Sequence, residues 1–168
     1  GFSAIYLSGA ALSAGLLGIP DVGLIPFEEL ERQTFRLTQN VCLPVIVDAD
    51  TGYGDAAAIE KNICHLEAAG AAAIQIEDQV LERRCGHLNG KQVIPESEMA
   101  EKIHAACEGR QSDNTVIIAR TDVRGVGSMK DCLSRIEAYH NAGADWIFPE
   151  ALQSQDEFSE AGALLQAL

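Results

Sequence analysis

Long apolar runs, cysteine pairs and an excess of positive charge are all missing from this chain. No stretch reaches the ~18 consecutive apolar residues that read as a membrane-crossing helix, so a transmembrane span is excluded. Lysine and arginine number 12 against 25 aspartates and glutamates, a formal net charge of −13. A chain this acidic, without a basic stripe, is a poor partner for nucleic-acid phosphates or an anionic membrane surface. The five cysteines, Cys42, Cys64, Cys85, Cys107 and Cys132, are odd in number, scattered and never spaced as Cys-x-x-Cys. That usage points to reduced thiols and to the cytoplasm. Neither Gly-x-Gly-x-x-Gly nor a P-loop glycine-lysine motif occurs, which removes two familiar phosphate-binding loops. The pair Gly52-Tyr-Gly54 is too short to replace them.

What is present reads as a globular α/β chain. Its 168 residues are 47% hydrophobic and 22% charged, enough to bury a core without disulfides or metal. Short apolar runs recur at 4–7, 44–47, 72–76, 116–119 and 146–148, mostly β-branched or aromatic and without in/out alternation. Such runs suit strands buried on both faces. Amphipathic stretches lie between them. Residues 27–38 set Phe27, Leu30, Phe35 and Leu37 among charges, and residues 56–69 run from an Asp55 cap to Gly70. Pro95 reads as a first helical residue, Ser128 with Asp131 as a capping box ahead of a helix ending near Gly143, and Ser154 with Glu157 as a second box. The β-α repeat predicts a parallel sheet. Two architectures fit it: a (β/α)8 barrel and an open doubly wound sheet. Five strands cannot close an eight-stranded barrel, yet the strand ends favour one. The chain opens on Gly1 rather than methionine and its last residues read as helix, so the expectation is a piece of a longer protein.

Every apolar run ends in polar groups: Tyr6-Leu-Ser8, Asp48-Ala-Asp50, Glu77-Asp78, Arg120-Thr-Asp122 and Pro149-Glu150. In a barrel these ends ring one mouth, where catalytic residues gather; the bland alternative for any one of them is a cap or solvated turn. Period-two alternation would point Asp48 and Asp50 to one side. Hard oxygen donors without histidine or cysteine suit Mg2+ or Mn2+, with Glu77 and Glu150 joining through water. In Arg83-Arg-Cys-Gly-His87 a thiol lies between cations, which stabilise thiolate, on a loop long enough to be a lid. His87 could orient the thiol or bind a carboxylate. Arg120 suits either a substrate carboxylate or an internal ion pair. The other four cysteines read as inert core thiols, and His65, His104 and His140 as helix-surface or packing residues.

Seven motifs in this order resemble the isocitrate lyase/phosphoenolpyruvate mutase superfamily. They are Tyr6-Leu-Ser-Gly9, Gly18-Ile-Pro-Asp-Val-Gly23, Val47-Asp-Ala-Asp-Thr-Gly-Tyr-Gly54, Ile76-Glu-Asp-Gln79, Arg84-Cys-Gly-His87, Ala119-Arg-Thr-Asp122 and Phe148-Pro-Glu-Ala151. Cys85-Gly86-His87 marks the carbon–carbon lyase branch, and the Ser8–Gly15 lead-in resembles the short 2-methylisocitrate lyase-like members. The stretch from Gly86 to Pro95 also resembles 2,3-dimethylmalate lyase. The resemblance implies a (β/α)8 barrel, α/β in class, of which residues 1–168 hold about strands two to six as a partial catalytic domain, in a homotetramer. It implies Asp50 as the main Mg2+ (or Mn2+) ligand with Asp48 and Glu77, and Asp21 in support. Tyr6, Ser8, Gly9, Ala10, Gly86, His87, Arg120 and Glu150 would contact a small hydroxy-carboxylate substrate. Cys85, assisted by Arg83, His87, Glu77 and Arg120, would supply the proton in a retro-aldol cleavage to pyruvate and a carboxylate such as succinate. Two departures bear on the substrate: Arg83 stands where the family has lysine, and Ser8-Gly-Ala-Ala11 replaces a glycine-rich stretch. Oxaloacetate or phosphonate chemistry, and an inactive or regulatory fragment, stay open as alternatives.

Overall fold

The computed structural model describes residues 1–80 and 90–168. Five parallel strands, β1 (Ile5–Leu7), β2 (Val45–Asp48), β3 (Ala73–Glu77), β4 (Val116–Thr121) and β5 (Trp146–Pro149), lie side by side in chain order. Between and after them run α1 (Gly9–Leu12), which passes into a π-helical turn at Ser13–Leu17, then α2 (Phe27–Thr38), α3 (Ala56–Ala68), α4 (Glu96–Gly109), α5 (Met129–Asn141) and α6 (Gln155–Ala167). The order never reverses, so there is no switch point of the kind a doubly wound sheet needs. The sheet is an arc of (β/α)8 barrel wall.

Register assigns the two faces. Tyr6 pairs with Ile46, Ile46 with Ala73, Asp48 with Gln75, Glu77 with Arg120, and Arg120 with Phe148. These residues therefore share one face, and the residues between them along each strand share the other. The second face carries Val45, Val47, Ile74, Ile76, Ile117 and Ala119. They are buried in one cluster with Leu30 of α2, Ile59, Ile63 and Leu66 of α3, Met99 and Ile103 of α4, and Tyr139 of α5. A smaller cluster joins Cys132 and Ile136 of α5 to Ala161 of α6. Most of the buried apolar packing is thus on the helix side, at roughly 1.5–3 kcal/mol for each large side chain buried. The opposite, concave face carries Ile46, Ala73 and Ile118 toward the N-terminal ends of the strands and the polar Asp48, Gln75, Glu77 and Arg120 toward their C-terminal ends.

Local signals set the helix ends. Asp55 Oδ1 accepts the Ala58 N–H, and Ser128 with Asp131 forms a reciprocal capping box. Gly70 (φ 96°) and Gly143 (φ 107°) end α3 and α5 in the left-handed region, where a side chain is disfavoured. Pro95 is the N-cap of α4 rather than its first residue. At α6 the box is one-sided: Ser154 Oγ accepts the Glu157 N–H, but the Glu157 carboxylate takes the Gln153 N–H and Arg124 instead. The expectation of strands buried on both faces holds for β3 and fails at the sheet margins, where Tyr6, Trp146 and Phe148 are exposed. Margin strands have a neighbour on one side only, so less of each side chain is covered. Nor are all four other cysteines in the core: Cys132 is buried, Cys64 and Cys107 are half-buried, and Cys42 is exposed in the turn before β2. Among the described residues no helix is long and apolar enough to cross a membrane.

Candidate active site

The Asp48–Gly54 corner is built differently from the alternation argument. Strand β2 stops at Asp48, and Asp50 has a left-handed backbone (φ 49°). Period two therefore does not carry from Asp48 to Asp50; a turn delivers the second carboxylate. Left-handed geometry continues at Gly52 (φ 94°) and Tyr53 (φ 61°), conformations that non-glycine residues hold only when their surroundings impose them. The surroundings do so with hydrogen bonds. The Glu77 N–H donates to the Asp50 carbonyl at 2.7 Å, Asn62 Nδ2 to the Gly52 carbonyl at 3.0 Å, and Lys102 Nζ to the Thr51 carbonyl at 3.2 Å. A Cβ on Gly52 would lie 2.7 Å from the Ile59 side chain, so the corner is also packed closed. Asp50 is left 4% exposed.

Asp48 braces two strand ends. Its Oδ1 accepts the Asp50 N–H and its Oδ2 the Gly9 N–H, each at 3.3 Å. Gly9 and Ala10 open α1 directly after β1, and Ser8 caps that turn by accepting the Ala11 N–H at 3.4 Å. Tyr6 lies in the same mouth, because its hydroxyl feels Asp48, Arg120 and Glu77. Burial first, and the Asp48 charge second, push the phenol well above its ordinary range, so it stays a proton donor.

Arg120 sits among three carboxylates. Its Nε lies 3.3 Å from Glu77 and 2.9 Å from Asp122, and its Nη2 lies 3.1 Å from Asp122 and 3.7 Å from Glu150. The guanidinium also lies 5.5 Å from the centroid of the Phe148 ring, within cation–π range. Burial works against its charge, but the Asp122 hydrogen bond and the three carboxylates outweigh it and push the pKa up. The internal ion pair weighed from sequence is therefore present. Glu77, 2% exposed, also accepts from Gln79 Nε2 at 3.1 Å.

Two groups central to this region have no signature in the spacing of the sequence. Lys91 donates to Asp122 Oδ1 at 2.7 Å with 3% of its side chain exposed. Asp78, fully buried, accepts from Thr121 Oγ1, Arg135 Nη1 and Tyr139 Oη on Oδ2, each at 2.7 Å, and from the Asp122 N–H on Oδ1 at 2.8 Å. Only the Glu77-Asp78 doublet hinted at the second of these. Asp21 lies half-buried in a bend between the π-helical turn and α2. His65, His104 and His140 are exposed on helices, as expected.

Arg83, Arg84, Cys85, Gly86 and His87 lie outside the described residues. The chain on either side of them is described. Gln79 bridges Val93 antiparallel, the Val80 N–H donates to the Gln92 carbonyl at 3.0 Å, and the Ile94 N–H donates to the Asp78 carbonyl at 2.9 Å. This two-stranded neck follows directly on the end of β3. Among the described residues, no three His, Cys, Asp or Glu side chains gather as direct ligands of one metal ion.

Comparison with known proteins is consistent across three searches. Residues 1–167 match the family model described as phosphoenolpyruvate phosphomutase. A 2-methylisocitrate lyase from Aeropyrum pernix is 51% identical over 99% of this chain and 53% of its own length. A crystal structure of 2,3-dimethylmalate lyase, described as a PEP mutase/isocitrate lyase superfamily member, is 35% identical with a TM-score of 0.91, over 100% of this chain and 56% of that one. A phosphonopyruvate hydrolase in complex with oxalate and Mg2+ is 28% identical with a TM-score of 0.82, over 96% and 56%. The chain spans about half the length of the curated relatives it matches.

Proposed function

From the premise that this chain belongs to the phosphoenolpyruvate phosphomutase family, within the PEP mutase/isocitrate lyase superfamily, we propose that it serves a divalent-metal-dependent carbon–carbon lyase. The substrate class is a 2-hydroxy di- or tricarboxylate such as 2-methylisocitrate, and the products are pyruvate and a carboxylate such as succinate. The observation that carries the reading is the junction of a buried oxygen-donor corner with a charged guanidinium across one strand register, Asp48 and Asp50 beside Glu77 and Arg120.

The donor chemistry fits Mg2+ or Mn2+. The corner offers carboxylate oxygen and no histidine or thiolate, which suits a hard cation. Asp50 would be the direct ligand, with Asp48 and Glu77 reaching the ion through water and Asp21 supporting the corner. When bound, the ion would supply Lewis-acid stabilisation to a substrate hydroxyl and its neighbouring carboxylate.

The remaining work belongs to the chain. Arg120 and Glu150 would fix the keto-acid end of the substrate, and Gly9, Ala10 and the hydroxyls of Tyr6 and Ser8 would line it. A carboxylate of the site would act as base and take the 2-hydroxyl proton; the oxygen's electrons then form the carbonyl, the adjacent carbon–carbon bond breaks, and its electron pair goes to the departing carbon. The Cys85 thiol would protonate that carbon, with Arg83 and His87 setting its protonation state and Gly86 and His87 meeting the distal carboxylate. A homotetramer in the cytoplasm, acting on a small molecule rather than on nucleic acid or membrane, completes the proposal.

The 41% identity to a 2,3-dimethylmalate lyase of Eubacterium barkeri supports that compound as a second substrate to try. A pyruvate-release assay on the full-length protein over a panel of 2-hydroxy acids, with and without Mg2+, tests the reading. Release is expected with one or both of these compounds and is lost on chelation. Cys85→Ser abolishes release while Mg2+-dependent oxalate binding persists. No pyruvate from any member of the panel sinks the lyase reading, and unchanged turnover in Cys85→Ser removes the thiol from it.

A further inference from the structure

Lys91 is a buried cation to which the proposed reaction gives no task. Its ammonium meets Asp122 Oδ1 at 2.7 Å, and Asp122 simultaneously holds Arg120 through Nε at 2.9 Å and Nη2 at 3.1 Å. The Asp122 side chain has no exposed area, and its N–H is fixed by Asp78. One carboxylate is thus shared by two cations, and only one of them faces the mouth.

Without Lys91, the charge balance around Arg120 would be unfavourable for an anion. Glu77, Asp122 and Glu150 all lie within 3.7 Å of the guanidinium. Among the described residues, a single positive charge among three carboxylates leaves an excess of two negative charges; Lys91 lowers that excess to one and so weakens the repulsion of an incoming carboxylate. The geometry points to Lys91 as a positioning residue for Arg120: it shares Asp122 Oδ1 with Arg120 Nη2 and offsets the Asp122 charge, so that Asp122 aims the guanidinium without consuming its charge. The ligand class is a small carboxylate anion. Gly125 fits the same picture, because a Cβ there would lie 3.0 Å from Lys91 Nζ, so a side chain at this position would press on the ammonium. The inference rests on the reading of Arg120 as the clamp for the substrate carboxylate.

A merely structural lysine, tying the neck to the end of β4, would affect stability alone. The test therefore reads anion affinity in the full-length protein with Mg2+, using oxalate as the probe. Lys91→Met weakens oxalate binding by about tenfold or more, and KM for pyruvate release rises by a similar factor with a smaller change in kcat. Lys91→Arg keeps most of the affinity. In Lys91→Met/Asp122→Asn one negative charge leaves with the positive one, and oxalate affinity returns to within a few-fold of the unaltered protein. Thermal melts report separately that each variant is folded. Unchanged oxalate binding in folded Lys91→Met overturns the inference, as does a double variant no better than the single one. If the unaltered protein neither binds oxalate nor releases pyruvate, the lyase reading falls on its own. The Lys91–Asp122–Arg120 linkage is then read without ligand, from the nitrogen-resolved Nε–H resonance of Arg120, which must move in Lys91→Met. A resonance that stays put overturns it.

Discussion

Glu77 and Asp78 are successive carboxylates at the end of one strand, both withdrawn from solvent, and they serve opposite purposes. Glu77 points to the concave face, where its neighbours include Gln79 and the charged Arg120. Asp78 points to the helix side, where Thr121, Arg135 and Tyr139 and the Asp122 N–H take up both of its oxygens. A carboxylate closed in by packing residues stabilises; one on the face of the polar strand ends, beside a guanidinium, is placed for chemistry. A shift of one position along β3 separates the two roles, because side chains alternate between faces.

Exchange of the two residues for amides separates them most strongly. Asp78→Asn strands the buried Arg135 charge and costs about 3–5 kcal/mol of stability, read by denaturant unfolding. Glu77→Gln changes the unfolding midpoint far less and lowers pyruvate release by about a hundredfold or more. Equal losses of stability in both would erase the distinction. Gly52→Ala comes next: it strains a left-handed backbone and drives a methyl onto Ile59, at about 1–3 kcal/mol, and it reduces Mg2+-dependent oxalate binding by displacing Asp50.

A pH dependence between ~8.5 and 11 tests the helix side. Burial, with Asp78 adding to it, pushes the Cys132 thiol up to about 11, whereas an unfolded thiol titrates near ~8.5. The folded value is the higher one, so this contribution is complete below ~8.5 and is lost as pH rises toward 11, by at most about 1.4 kcal/mol per pH unit. Cys132→Ala flattens that alkaline arm in unfolding curves recorded across the range. An arm of unchanged slope would show that Cys132 does not carry it.

Much of this was readable from the residues because local physics set it. The apolar runs became strands, Asp55 and Ser128 with Asp131 became caps, and polar strand ends became one mouth. The parts that escaped depend on contacts distant in sequence. Lys91 looks like a loop lysine until Asp122, 31 residues on, buries it. Arg135 and Tyr139 look like helix residues of α5 until Asp78 receives them. Asp50 reached its place through a left-handed turn that alternation cannot foresee. The sheet-margin aromatics were misjudged because burial depends on neighbours that composition does not count.

The paired neck at Asp78–Val80 and Gln92–Ile94 has an entropic consequence. It ties Asp78–Val80 to Gln92–Ile94 with its own hydrogen bonds, so the two flanks hold each other in place. Doubling the length of a loop costs only about 0.6 kcal/mol in closure entropy. Changing the number of residues between Val80 and Gln92 therefore costs little in closure entropy, while the two flanks hold each other and Asp78 stays tied to Thr121, Arg135 and Tyr139.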